Sequence, residues 1–219
     1  MTLICGIDEA GRGPVIGPLV IAGVLVEQDS GLKSIGVKDS KLLTKRKRES
    51  LFQKIIDTVK DYKIIKVSPS EIDSALTSEE LNLNWLEALK AAEIINKLKP
   101  DKVIIDSPSN NTEAFSTYVK KLLINKTELN CLHKADLKYV EVGAASILAK
   151  VTRDNEIEKI KKQIKVEFGS GYPSDPVTID FLKNNFQKYP EIFRKTWASY
   201  KKVQIMRNQK KIDDFQKNL

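Results

Sequence analysis

The chain has 219 residues, and its 37 Lys plus Arg outnumber its 29 Asp plus Glu, a formal charge of +8. With 41% hydrophobic and 30% charged residues it can bury a core, which excludes a disordered or collagen-like chain, and the length suits one large domain or one domain with an appendage. No run approaches the roughly 18 uninterrupted apolar residues of a membrane span, and the N-terminus carries neither a basic leader nor a cleavage site, so a cytoplasmic location is expected.

In chain order, Leu3 to Asp8 is a short apolar run and Pro18 to Glu27 a β-branched one, joined by a Gly- and Pro-rich connection. Together they predict a hairpin. Leu51, Ile55 and Val59 lie at helical spacing within 45–60, and 62–67 is a third strand candidate. Thr77 and Glu80 have the spacing of a capping box ahead of a helix carrying Leu81, Trp85, Ala88, Ala92 and Ile95 and ending before Pro100. A buried strand over 102–106, a helix over 112–123 and a fifth strand over 128–133 follow. A long helix over 142–165 opens with small residues that permit close packing on a sheet, Gly169 to Pro173 breaks the pattern, and helices resume from Pro176. The sum is an α/β fold, a five-stranded mixed sheet flanked by helices with a helical C-terminal extension. The expected division is a core over 1–165, a helical part over 166–207 and a tail over 208–219.

Three strand candidates run into acid: Ile7-Asp8-Glu9, Ile105-Asp106, and the segment from Cys131 to Asp136. One such Asp is ordinarily a turn or cap residue, but in open α/β sheets function gathers at strand C-terminal ends. Two carboxylates at about 4 Å repel by on the order of 4 kcal/mol at an effective dielectric of 20. A cluster therefore calls for protonation or a cation, and oxygen ligands without His or Cys select Mg²⁺ or Mn²⁺. Two such ions suit phosphodiester hydrolysis, and the basic charge adds a nucleic-acid partner. Asp8 and Glu9 point to opposite strand faces, so both serve one site only if the strand ends or twists there, which Ala10-Gly11 permits. Cys5 and Cys131 read as reduced structural thiols, and Cys131 with His133 offers only half of a zinc site.

The strings Gly6-Ile7-Asp8-Glu9-Ala10-Gly11-Arg12-Gly13-Pro14, Asp39-Ser40-Lys41, Ile105-Asp106-Ser107, His133-Lys134-Ala135-Asp136, Ala144-Ala145-Ser146-Ile147, Arg153-Asp154 and Gly171-Tyr172-Pro173 together resemble the ribonuclease HII family, specifically its archaeal type. The resemblance covers nearly the whole chain. It implies a ribonuclease H-like fold and a metal-dependent endoribonuclease that cleaves RNA paired to DNA and single ribonucleotides embedded in DNA, leaving 3′-hydroxyl and 5′-phosphate ends. It also implies metal ligation by Asp8, Glu9, Asp106 and Asp136, with Asp8 bridging two ions. Gly11, Arg12 and Gly13 would meet the ribose 2′-hydroxyl through backbone amides, Lys41 a substrate phosphate, and Tyr172 the sugar after the ribonucleotide. Gly143 departs from the Ser usual in relatives.

The run from Lys41 to Arg48 holds five cations and no acid, and apart from Lys41 it reads as a solvated helix face that contributes field; the helical spacing of Lys150 and Arg153 would let them face the same groove, or serve as packing stems with exposed heads. Trp85 and Trp197 have core spacing, and His133 is the sole histidine, a structural or supporting residue. Gln209, Ile212 and Phe215 match a sliding-clamp interaction box whose second aromatic is missing, Gln216 standing there; a fraying basic helix fits equally. The rivals are a resolvase- or integrase-type DNA nuclease of the same fold class and a non-catalytic nucleic-acid or clamp adaptor. A monomer is expected.

Overall fold

The structure, a computed structural model, describes residues 2–28, 31–37 and 43–217, with side chains as far as 209. Five strands, β1 (Leu3–Ala10), β2 (Leu19–Glu27), β3 (Asp61–Val67), β4 (Lys102–Asp106) and β5 (Glu128–Leu132), form one mixed sheet in the order β3-β2-β1-β4-β5. β1 pairs antiparallel with β2, from Leu3 opposite Glu27 to Ala10 opposite Val20, and parallel with β4. The expected hairpin is present, and β1, β4 and β5 run parallel toward one edge.

Strict alternation places the sheet between two cores. In β2, Leu19, Ile21 and Leu25 face helices α3 (Leu83–Leu98) and α4 (Thr112–Lys121), while Val20, Ala22, Val24 and Val26 face α1 (Lys45–Thr58) and α5 (Val140–Ile164). A strand buried on both sides reads as a continuous apolar run, as here. The small residues at the start of α5 let it lie directly on β1: a Cβ on Gly6 would sit 2.5 Å from Glu141 O and Val142 N.

The sequence reading places a helix start at Thr77, and the structure corrects it. Thr77 is the last residue of a short helix, α2 (Pro69–Thr77), and its hydroxyl donates back to Asp73 O at 2.9 Å. It lies inside α2, five residues before the residue that caps α3. Asn82, directly before the apolar run, caps α3 by accepting from Trp85 N at 3.0 Å. The signal for α2 is Ser68-Pro69-Ser70-Glu71, a cap residue followed by proline in the first turn. Trp85 is not deep core either; it is half-buried and stacks on Tyr118 with ring centroids 4.5 Å apart.

A third apolar cluster joins α6 (Pro176–Asn185), the turn Pro190–Ile192 and α7 (Ala198–Lys217) to Val15, Ile16 and Ile157. Ile16 also bridges to Phe193. The C-terminal helices thus pack on the connection between β1 and β2. Among the described residues no helix is long and apolar enough to cross a membrane.

Candidate metal centre and nucleic-acid cleft

Because β1 and β4 are parallel, Asp8 near the end of one and Asp106 at the end of the other reach the same sheet edge. Asp136 joins them from a 3-10 turn, Ala135–Leu137, just beyond β5. The turn is tied to the sheet by Ala135 N, which donates to Asp106 Oδ1 at 3.2 Å. One carboxylate oxygen from each of Asp8, Asp106 and Asp136 falls within 4.8 Å of the others. The donors are all hard oxygens, the set that fits Mg²⁺ or Mn²⁺.

Asp8 is buried, and its pKa is pushed up to about 7, chiefly by burial and further by the charge of Asp106. The Ser146 hydroxyl, Glu9 N–H at 2.7 Å and the Lys150 charge pull the other way without reversing it. In a metal-free site the ionised cluster is therefore costly, and a divalent cation relieves that cost.

Glu9 lies on the other side of the strand. β1 does not end at Asp8; it stays paired through Glu9 opposite Ile21 and Ala10 opposite Val20. The Glu9 carboxylate stands outside the group of three oxygens. Burial, then the charges of Asp8, Glu87 and Asp106, push its pKa well up, while Arg12 draws it down. Glu87 was missed in the sequence, where an acid on the apolar face of α3 is the only clue. It is 3% exposed, pairs with Arg12 Nε at 3.3 Å and has a pKa raised to about 7 by burial.

Gly11, Arg12 and Gly13 form the turn that leaves β1. Gly11 has φ +81, and a Cβ there would lie 2.8 Å from Pro18 O, so only glycine fits without strain. The Arg12 side chain is directed into the protein: Nη1 donates to Pro108 O and Nη2 to Asn84 Oδ1, both at 2.7 Å, beside the Glu87 pair. Its guanidinium holds the turn, which leaves the main chain of the turn as the surface offered to a ligand. Gly13 is exposed; a Cβ on it would lie 3.6 Å from the Tyr172 ring.

Tyr172 borders the same cleft, a concavity of about 550 Å³ that also contains Glu9, Arg48, Lys150 and Arg153. Arg153 is buried below the ring, its guanidinium carbon 5.1 Å from the centroid, and donates to Ser170 O at 2.7 Å. The cleft thus brings the turn and the tyrosine together with Lys150 and Arg153, the two cations whose helical spacing allows a shared groove. Trp197 is not simply core: half-buried, it donates its indole N–H to Gly13 O at 3.1 Å.

Of the other expected residues, His133 is exposed, and Gly143 is buried in α5. Cys5 is fully buried, with its thiol pKa raised mainly by burial; Cys131 is half-buried and raised to about 11 for the same first reason. Lys41, with Asp39 and Ser40, lies outside the described residues, as do the side chains of Ile212 and Phe215. Gln209 is exposed on α7.

The model of a family described as Ribonuclease HII matches residues 5–200. A Ribonuclease HII from Thermococcus sibiricus is 46% identical over 206 residues, covering 91% of this chain and 90% of that protein. The crystal structure of the ribonuclease H2 from Pyrococcus horikoshii OT3 superposes with a TM-score of 0.84 at 45% identity, over 92% of this chain and 96% of that one. A PCNA:RNase HII complex from Archaeoglobus fulgidus contains a chain that matches with a TM-score of 0.81 at 40% identity, over 90% and 95% of the two chains. Family model, relatives and fold agree with the acids at the strand ends: this chain belongs to the ribonuclease HII family of endoribonucleases.

Proposed function

We propose that this endoribonuclease hydrolyses the RNA strand of RNA/DNA hybrids and cuts on the 5′ side of single ribonucleotides embedded in duplex DNA, leaving 3′-hydroxyl and 5′-phosphate ends. The observation that carries this reading is a three-carboxylate cluster at the strand ends, together with a basic cleft at the end of the same strand β1 that holds the main-chain turn, Glu9 and an exposed tyrosine. Asp8, Asp106 and Asp136, with Glu9 from the neighbouring strand face, would hold two Mg²⁺ or Mn²⁺ ions. Such ions activate the attacking water and stabilise the leaving oxygen.

The chain's own residues select and place the strand. The amides of the Gly11–Gly13 turn meet the ribose 2′-hydroxyl, the group that separates RNA from DNA. Tyr172, 37% exposed and backed by Arg153, stacks on the next sugar. Lys150 and Arg48 supply positive potential for the backbone, as does Lys41. A DNA nuclease of the same fold class would share the acids but have no use for the turn and the tyrosine, and an adaptor would have no use for the acids.

Tyr172→Ala tests the junction role. Because loss of stacking costs about 1–3 kcal/mol, cleavage at a single embedded ribonucleotide should fall by roughly tenfold to a hundredfold, and more than cleavage of a long hybrid, where neighbouring ribonucleotides offer alternative registers. Equal losses on both substrates would remove the role.

The C-terminal residues Gln209, Ile212 and Phe215 are assigned to docking on a sliding clamp. The motif supports this, as does the existence of a PCNA complex of the Archaeoglobus fulgidus protein. Deleting 208–219 should abolish pull-down by the cognate clamp and leave cleavage of short duplexes intact; unchanged pull-down would refute the assignment.

A further inference from the structure

We propose that Arg194 is the positioning residue of ribose recognition, acting through the Gly11–Gly13 turn. The proposal rests on the reading of that turn as the 2′-hydroxyl contact. Arg194 is fully buried, and every nitrogen of its guanidinium donates to a main-chain oxygen. Nη2 reaches Gly11 O at 2.6 Å, Nη1 reaches Arg12 O at 2.9 Å and Nε reaches Gly17 O at 3.0 Å. Its own amide donates to Val15 O at 2.9 Å, and Trp197 Nε1 takes Gly13 O. A segment of four residues thus draws in five carbonyls of the connection between β1 and β2, three of them in the Gly11–Gly13 turn.

The consequence follows from peptide geometry. In a trans peptide the carbonyl of one residue and the N–H of the next share a plane and point in opposite directions. Fixing Gly11 O and Arg12 O on Arg194 therefore aims the amides of Arg12 and Gly13 away from the buried guanidinium. No hydrogen bond among the described residues uses either amide. A cation on a carbonyl also polarises the peptide, so the same contact makes its N–H a stronger donor.

The two residues after Arg194 are in turn held by α2. Asp73 accepts from Lys195 N at 2.8 Å, from Thr196 N at 2.9 Å and from the Thr196 hydroxyl at 2.6 Å. Removing Asp73 loosens the segment beside Arg194 without opening the core around it.

The test compares the parent with Arg194→Lys and Asp73→Ala. KM is measured on a DNA duplex holding one ribonucleotide, and Ki is measured for the all-DNA duplex of the same sequence as competitor. Lysine keeps the charge but cannot span three diverging carbonyls. Loss of one to two charge-assisted hydrogen bonds predicts that Ki/KM falls about tenfold in Arg194→Lys and less in Asp73→Ala, with Ki itself unchanged. A purely structural arginine would lower the active fraction, and so kcat, while leaving Ki/KM at the parent value; that result overturns the proposal. If Arg194→Lys does not fold, the same ratio in Asp73→Ala decides. A parent ratio near one would instead refute the reading of the turn, and the proposal with it.

Discussion

Asp8→Asn should lower turnover by about a thousandfold or more, since several kcal/mol of cation-derived stabilisation are lost with a central ligand, and each 1.36 kcal/mol is tenfold in rate. The same change should stabilise the metal-free protein at alkaline pH. A carboxyl raised from 3.8 to about 7 in the fold binds its proton more tightly folded than unfolded. Its favourable contribution is complete below the unfolded value near 3.9, and it is lost as pH rises through about 7, by up to about 4 kcal/mol. Asparagine has no proton to lose there. The metal-free variant should therefore melt above the parent at pH 8 and close to it at pH 4, and Mg²⁺ at pH 8 should raise the parent's Tm more than the variant's. Retained cleavage at saturating metal, or equal melting at both pH values, would contradict the place of Asp8 in the cluster.

Gly6→Ala should carry the largest stability cost of any single methyl group placed in the sheet. The added Cβ would meet Glu141 O and Val142 N at 2.5 Å, and the Glu141 carbonyl carbon closer still. All three are backbone atoms at the start of α5, so no side-chain rotation relieves the clash. A loss of about 3 kcal/mol, the upper end of the range for overpacking, is expected in denaturant unfolding. Activity should fall as well, because α5 carries Ser146 and Lys150 beside Asp8 and carries Arg153 beneath Tyr172. A cost below about 1 kcal/mol would mean that helix and strand separate easily.

The strand-end acids were legible because each follows a short apolar run, and parallel pairing then collects them at one edge. The turn after β1 was legible through its glycines and its family resemblance. What escaped the sequence is the support beneath it. Arg194 lies in Ile192-Phe193-Arg194-Lys195, which reads as an ordinary alternation of apolar and basic residues, and its partners are 177 to 183 residues earlier in the chain. Glu87 looks like one misplaced acid on a helix until Arg12 is seen opposite it. Trp197 has core spacing, yet its indole N–H serves Gly13. Local periodicity reports burial; it does not report which distant main chain a buried donor serves. The α2 boundary was lost for a local reason, since Thr77 closes a short helix of its own and the cap of α3 falls on Asn82.

The most direct test of the account is cleavage of an end-labelled DNA duplex carrying one ribonucleotide, with Mg²⁺, Mn²⁺ or chelator, mapped at single-nucleotide resolution. The account predicts a metal-dependent cut on the 5′ side of the ribonucleotide and none in the all-DNA control. Cutting of the control, or tight binding without any cut, would contradict it.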